Sequence, residues 1–333
     1  MRKEEDRQSM VKNVNLRRLS IGAFIVLLIT VGILFSRSHA GEEKKEIILI
    51  SKVIDSSNDF WSAFVQGAEM AAKEYGVNLK IVGPNTELKY EEQGTMIEEA
   101  IRQKPDAIAL VPSSFTETQK YARKIEEAGI PLIIADSFME EEMGSCVVAT
   151  DNVEAGRKMG RYILDNFKNI SSIGVVGHVK GVSTAMEREQ GLREGLGKFE
   201  SKVADVVFCD SDYRKAYLVT KEMLEKYPDM NVIVGLNEYS SVGAARAVND
   251  LGLKGEVRMI GFDSSIKEVE YLEDGTFEAM VVQKPLNMGY LCIEKTVQLL
   301  EKEKIPKVVD SGSVLITKDT MYTEENQKLL FPF

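Results

Sequence analysis

Between residues 47 and 282 the chain alternates short apolar runs with amphipathic stretches, and this rhythm restricts the fold more than any other feature. Ten runs read as strands: 47–53, 79–82, 107–111, 132–135, 146–149, 172–176, 203–208, 232–236, 258–262 and 279–282. Most are unbroken and rich in Ile and Val, as strands are when both faces of a parallel sheet are covered. The intervening stretches carry a helical period. Ala63, Phe64, Gly67, Ala68, Ala71 and Ala72 make one apolar stripe, and Gly76 follows as a stop. Stretches 92–102, 117–128, 153–167, 185–198, 214–226, 240–251 and 286–302 repeat the theme. Regular βαβ alternation implies right-handed crossovers and doubly wound sheets. Ten strands exceed one such sheet, so the expected fold is two doubly wound, Rossmann-like α/β lobes. The break falls near Thr150, where Asp151 and Asn152 offer an N-cap to the next helix.

Charge is unevenly placed along the 333 residues. Residues 1–20 carry a net +3, so the remainder must hold −13 to give the chain its −10. An acidic body argues against a nucleic-acid partner, which needs a basic face. Residues 19–36, LSIGAFIVLLITVGILFS, contain no charge. As a helix this run reaches about 27 Å, near the lower limit for a hydrocarbon core. Arg17 and Arg18 on one flank against a single Arg37 on the other place the N-terminus inside and the rest outside. Two readings compete: a signal peptide cleaved after Ser38-His39-Ala40, or an uncleaved anchor. The long leader and long apolar run favour the anchor. Cys146, Cys209 and Cys292 are too few and too scattered for a disulfide scaffold or a CxxC site, and two histidines exclude a His-rich metal centre. The expected cofactor set is empty.

In open α/β sheets ligands sit beyond the carboxyl ends of the strands. The residues following each strand are therefore the candidate site: the segment 55–61, Asp136 and Ser137, the segment 177–184, the segment 210–214, Asn237 and Glu238, Asp263 and Ser264, and Gln283. Amides, carboxylates and aromatics in a ring suit a small polyhydroxy ligand. Each has a plainer reading. Phe60 and Trp61 could both be core, although adjacent residues cannot easily face one core. Asp136 and Asp263 could be turn formers, Asn237 a bare N-cap, and Gln283 a hinge residue. Gly156 and Gly160 are read as permitting close helix–sheet approach. His178 lacks a second histidine or an orienting carboxylate motif, so a catalytic role is set aside.

At this point the chain resembles the type I periplasmic binding proteins of the ribose/galactose group, whose fold is shared by the effector domains of LacI-type repressors. The carriers are SSNDFWSAFVQGAEMAAKEYG (56–76), KPDAIALVP (104–112), AGIPLIIAD (128–136), TDNVEAGRKMGRYI (150–163), EREQGLREGL (187–196), VGLNEYSSVGAARAV (234–248), MIGFD (259–263) and VVQKP (281–285). The resemblance implies two lobes joined by three crossings that close on a sugar. Together with the charge and hydropathy pattern, it divides the chain into a cytoplasmic leader (1–18), a transmembrane helix or signal segment (19–36), a linker (37–46), an N-terminal lobe (47–149 plus 284–312) and a C-terminal lobe (150–283 plus 313–333). It implies that Asn58, Phe60 and Trp61 form the first-lobe wall, that Asp136 accepts from sugar hydroxyls, and that Asn237, Asp263 and Gln283 are the second lobe's polar contacts.

Two departures stand out against that family. Ribose-type binders usually carry Arg directly after the carboxylate, where this chain has Ser137, and another Arg where it has Met186, so Ser137 and Met186 complete the set of nine expected ligand contacts. Arg188 lies about 200° around the helix from Met186 and is not expected to replace it. The second-lobe aromatic usual near Ser211 is also missing, with Tyr213 or Phe208 as stand-ins. With both guanidinium clamps absent, the cleft is expected to be acidic and its ligand neutral or cationic, such as an amino sugar. The resulting expectation is an extracytoplasmic substrate-binding protein serving an ABC importer, with a membrane-anchored sensor partnering a histidine kinase or chemoreceptor as the alternative. No nucleophile–base pair, metal cluster or phosphate loop supports an enzyme. A repressor would need a DNA-binding segment where the apolar run stands.

Overall fold

The computed structural model describes residues 44–331. The apolar run 19–36, its leader and the proposed cleavage point lie outside those residues. Among the described residues no helix is long and apolar enough to cross a membrane.

The first sheet is built from β1 (Glu46–Ile50), β2 (Asn78–Val82), β3 (Ala107–Leu110), β4 (Leu132–Ala135), β5 (Cys146–Ala149) and β11 (Val308–Asp310). Its order is β2-β1-β3-β4-β5-β11, all parallel. The second contains β6 (Ser172–Gly177), β7 (Val203–Phe208), β8 (Met230–Gly235), β9 (Arg258–Phe262), β10 (Phe277–Gln283) and β12 (Ser313–Thr317), in the order β7-β6-β8-β9-β10-β12. Here the edge strand β12 runs antiparallel to β10, so the second sheet is mixed rather than wholly parallel. The strands β11 and β12 were not expected from the sequence. They are half exposed, β11 is only three residues long, and no helix separates the two, so they fall outside the βαβ rhythm.

Helices cover both faces of each sheet. On the first lie α1 (Asp59–Glu74), α2 (Tyr90–Gln103), α3 (Gln119–Glu127) and α9 (Pro285–Leu300); on the second lie α4 (Asn152–Asn166), α5 (Ser183–Leu196), α6 (Tyr213–Lys226), α7 (Glu238–Asp250), α8 (Ile266–Glu273) and α10 (Glu324–Leu330). The stripe along α1 is buried as its period implies, from Phe60 to Ala72. Phe64 is fully enclosed between the sheet and α9, a burial that contributes about 1.5–3 kcal/mol. All three cysteines are buried free thiols.

The glycines of α4 serve a neighbour other than the sheet. A Cβ at Gly156 or Gly160 would collide with the backbone carbonyls of Arg188 and Leu192 on α5, and one at Gly191 would collide with Val153 O. These two helices touch backbone to backbone, which is possible only where side chains are missing.

The chain passes between the sheets three times: from β5 to α4, from β10 to α9, and from β11 to β12. The three crossings are tied together. Thr150 Oγ1 donates to Gln283 Oε1 at 2.9 Å and lies 3.1 Å from Ser311 Oγ, while Asp151 N donates to Asp310 Oδ1 at 3.1 Å. Both sheets belong to one compact unit beginning at Lys45.

Candidate functional site

Each sheet reverses its winding direction once, between β1 and β3 in the first and between β6 and β8 in the second. Loops leaving strands on either side of such a point diverge, and the gap between them is where ligands sit in this architecture. The carboxyl edges of the two sheets face each other, so both gaps open into one cleft. Its walls are Lys52, Asn58, Phe60, Trp61 and Glu87, then Asp136, His178, Thr184 and Arg188, then Asn237, Tyr239, Asp263 and Gln283. They close to within about 20 Å³ of free space between the lobes, so a ligand enters by parting the two walls. A larger hollow of about 310 Å³ adjoins the outer side of Phe60, Asp263 and Gln283. The surface it exposes is mainly apolar, so the recognition chemistry concentrates in the smaller cleft.

Seven of the nine residues expected from the sequence meet there: Asn58, Phe60, Trp61, Asp136, Asn237, Asp263 and Gln283. Asn58 caps α1 by accepting from Trp61 N at 3.0 Å. That cap fixes the entry of α1 and turns Phe60 and Trp61 into the cleft, their rings edge to face with centroids 4.9 Å apart. The two expected functions of these aromatics are not exclusive, because both also pack on the lobe's core. Asn237 caps α7 and lines the cleft as well. Gln283 joins the crossings to the site. Its Oε1 accepts from Thr150, and its Nε2 donates to Asp263 Oδ1 at 2.6 Å.

Asp136 and Asp263 occupy equivalent places, one residue beyond β4 and β9. Both have left-handed backbone, with φ of 62° and 84°. A non-glycine residue there costs about 1–3 kcal/mol, which a fold tolerates where a side chain must be aimed. Asp263 also accepts from Glu238 N at 2.9 Å. Burial pushes the Asp263 carboxyl upward against the pull of Arg188.

Two expected residues are not in the wall. Ser137 lies behind it, donating to Asp136 Oδ2 at 2.6 Å and accepting from Lys52 Nζ. Met186 is 41 % exposed and faces away. The rotation of about 200° separating it from Arg188 was the right angle taken from the wrong residue. Thr184 and Arg188 lie four residues apart and share the face that looks into the cleft, while Met186 points to solvent. Arg188 is buried. Its Nε donates to Asn152 Oδ1 and its Nη1 to Leu236 O, each at 2.8 Å, and its guanidinium stacks on Phe262 at 3.9 Å.

The cleft expected to be acidic for want of two arginine clamps holds two cations from other positions. Besides Arg188, Lys52 reaches in from the end of β1 and pairs with Asp136 at 2.7 Å, both side chains buried. Its ammonium also lies 5.7 Å from the Trp61 ring centroid. Two cations thus stand among three carboxylates, Glu87, Asp136 and Asp263. Burial raises the Glu87 carboxyl, whose oxygens accept from Trp61 Nε1 at 3.1 Å and Ser211 Oγ at 2.8 Å. Sequence signals for two of these were present: a lysine at the end of an otherwise apolar run, IILISKV, and a Thr184–Arg188 pair at helical spacing. Glu87 lies in the turn before α2 and carried no such signal.

The lobes meet across the cleft. Tyr239 OH donates to Asp55 Oδ2 at 2.6 Å, and Phe138 N donates to Ser183 Oγ at 2.8 Å. Glu238 accepts from Asp59 N at 3.3 Å and Phe60 N at 3.1 Å, so a second-lobe carboxyl group takes up free N–H groups at the N-terminus of α1. Tyr213 donates its hydroxyl to Glu238 Oε1 and approaches Asn58, so it is a lobe contact. Phe208 packs on Val179, Val182 and Ala185 instead. Tyr239 is the second-lobe aromatic in the cleft wall.

Paired α/β lobes, three crossings and a charged, aromatic-lined cleft define a two-lobed ligand-clasping protein. The family model for a periplasmic binding protein domain matches residues 50–304. The ribose import binding protein of Bacillus subtilis (strain 168) is 25 % identical over 281 residues, covering 84 % of this chain and 90 % of that protein. The D-allose-binding periplasmic protein of Escherichia coli (strain K12) is 25 % identical over 303 residues, covering 86 % and 96 %. Among solved structures, a sugar transporter from Clostridium phytofermentans is 47 % identical with a TM-score of 0.79, covering 83 % of this chain and all of that one. A solute-binding protein from Agrobacterium vitis with bound D-fucose is 29 % identical with a TM-score of 0.80, covering 86 % and 100 %. The chain belongs to the type I periplasmic sugar-binding protein family, and it is a binding protein rather than an enzyme.

Proposed function

We propose that this chain is an extracytoplasmic substrate-binding protein that holds a neutral monosaccharide between its lobes and delivers it to an ABC importer. The observation that carries this reading is the cleft's composition: carboxylates for hydroxyl donors, cations for hydroxyl oxygens, and aromatic faces for C–H surfaces, all converging on one cleft. Asn58, Phe60, Trp61, Asp136, Asn237, Asp263 and Gln283 are the proposed contacts, joined by Lys52, Glu87 and Arg188. Ser137 steadies Asp136 from behind. Lys52 answers Asp136, and Arg188 stands between acidic neighbours, so no cation is left over for a phosphate or carboxylate. Closure would move residues 47–149 plus 284–312 against 150–283 plus 313–333 about the three crossings.

The relatives named for ribose and allose and the neighbour holding D-fucose support a sugar of this size. The apolar run 19–36 is proposed as an uncleaved anchor that keeps the binder at the membrane. That run favours the second reading, a sensor beside a histidine kinase or chemoreceptor. Adjacent permease and ATPase genes would support import, and an adjacent kinase gene would support sensing.

Trp61 is the chain's single tryptophan and stands in the cleft wall. Its fluorescence in the full chain in detergent should respond to one or more of D-ribose, D-allose, D-arabinose and D-fucose. Asp136→Ala and Arg188→Ala should abolish the response, and Met186→Ala should leave it unchanged. A sugar phosphate that binds more tightly than its neutral sugar would refute the proposed ligand class.

A further inference from the structure

One cleft residue has an atom with nothing to bond. Among the described residues only two buried side-chain polar atoms lack a hydrogen-bond partner, His178 Nδ1 and Glu268 Oε1. Glu268 belongs to the capping box of α8 with Ser265, away from the cleft wall. His178 lines the cleft and is 3 % exposed. Its other ring nitrogen, Nε2, lies 2.8 Å from Thr184 Oγ1. The backbone is pinned as well, since His178 O accepts from Asp210 N at 2.7 Å. The ring is thus held in place at one nitrogen and vacant at the other. Buried polar groups in native proteins are nearly always paired, and each exception asks for a partner. Burial and the nearby Arg188 and Lys52 charges keep the imidazole neutral.

We infer that His178 is a ligand-reading residue of the cleft, its Nδ1 completed by one hydroxyl of the bound sugar. A neutral imidazole has one N–H and one lone pair. If Nε2–H donates to Thr184, Nδ1 accepts a hydroxyl hydrogen; if the Thr184 hydroxyl donates to Nε2, Nδ1–H donates to a hydroxyl oxygen. Thr184 sits in the first turn of α5, where no intrahelical carbonyl competes for its hydroxyl. Either arrangement serves a hydroxyl and neither serves a C–H. His178 and Thr184 therefore discriminate between sugars that do and do not place a hydroxyl at that point, because the wrong epimer or the deoxy form leaves Nδ1 buried and unpaired.

This inference rests on the proposed sugar-binding cleft, and the test separates the two. Calorimetry on the full chain in detergent would cover D-ribose, D-allose, D-arabinose and D-fucose, then each monodeoxy form of the one that binds most tightly. For the wild type, removal of one particular hydroxyl should weaken binding by about 10- to 100-fold. His178→Phe should weaken the parent sugar comparably and make that same deoxygenation cost nothing further, while the other deoxygenations keep their wild-type cost. His178→Asn, which places an amide atom near the Nδ1 position, should restore part of the discrimination. A uniform loss across all sugars, or no loss at all, overturns the role of His178. If His178→Phe does not fold, the imidazole 15N signal of wild-type His178 decides: it must move on sugar addition, and an unmoved signal overturns the inference. If Asp136→Ala and Arg188→Ala abolish binding while His178→Phe does not, only His178 is misassigned. If those two variants bind as the wild type does, or no sugar binds at all, the cleft reading fails and this inference with it.

Discussion

Replacing Lys52 by Met tests whether the cleft is held by charge pairing. Lys52 and Asp136 are both almost wholly inaccessible and lie 2.7 Å apart. Methionine fills a similar volume, so little packing is lost. What remains is a buried Asp136 with Ser137 as its one remaining side-chain donor among the described residues. Breaking a buried pair from one side costs about 3–5 kcal/mol, because the surviving charge keeps its desolvation penalty. Removing both charges should cost far less, so Lys52→Met with Asp136→Asn should recover most of the loss. Urea unfolding at pH 7, fitted for wild type, both single variants and the double variant, yields the coupling energy of the pair. The reasoning is refuted if Lys52→Met lies within about 1 kcal/mol of wild type, or if the double variant is no more stable than the single.

Two further outcomes follow from contacts between elements. Burial lifts the Glu238 carboxyl to about 8 from an ordinary 4.5. The folded protein therefore binds that proton more tightly than the unfolded chain, and the stabilisation is complete below about 4.5 and lost as pH rises through about 8. Glu238→Gln should flatten this part of the stability–pH curve, and an unaltered slope between pH 5 and 8.5 would remove Glu238 as its source. Gly191→Val should destabilise the second lobe by about 1–3 kcal/mol in thermal unfolding, because its side chain would enter the Val153 carbonyl of α4; a neutral result would mean that the two helices can separate freely.

How much of the site was legible depended on whether a residue's position follows from its own strand. Asn58, Asp136, Asn237 and Asp263 each stand one or a few residues beyond an apolar run, and a doubly wound sheet sends every such position to one edge. Arg188 and Met186 show the limit. They are on one helix, and which of them faces the cleft depends on the rotation at which α5 docks against α4, fixed by Gly156, Gly160, Gly191 and Gly195 together. Glu87 shows it differently, since its place depends on a turn whose partners, Trp61 and Ser211, are on other elements and partly on the other lobe.

By itself the sequence determined two α/β lobes, the edge on which they bind, and most of the polar ring, because hydrophobic period and strand-end position are local properties of the chain. Only the tertiary structure decided the electrostatics of the cleft. Local sequence showed two family arginines absent, and the fold supplied Arg188 from a helix face and Lys52 from the end of β1. Charge in a cleft is a sum over side chains that converge in space from distant parts of the chain, and convergence is settled by packing.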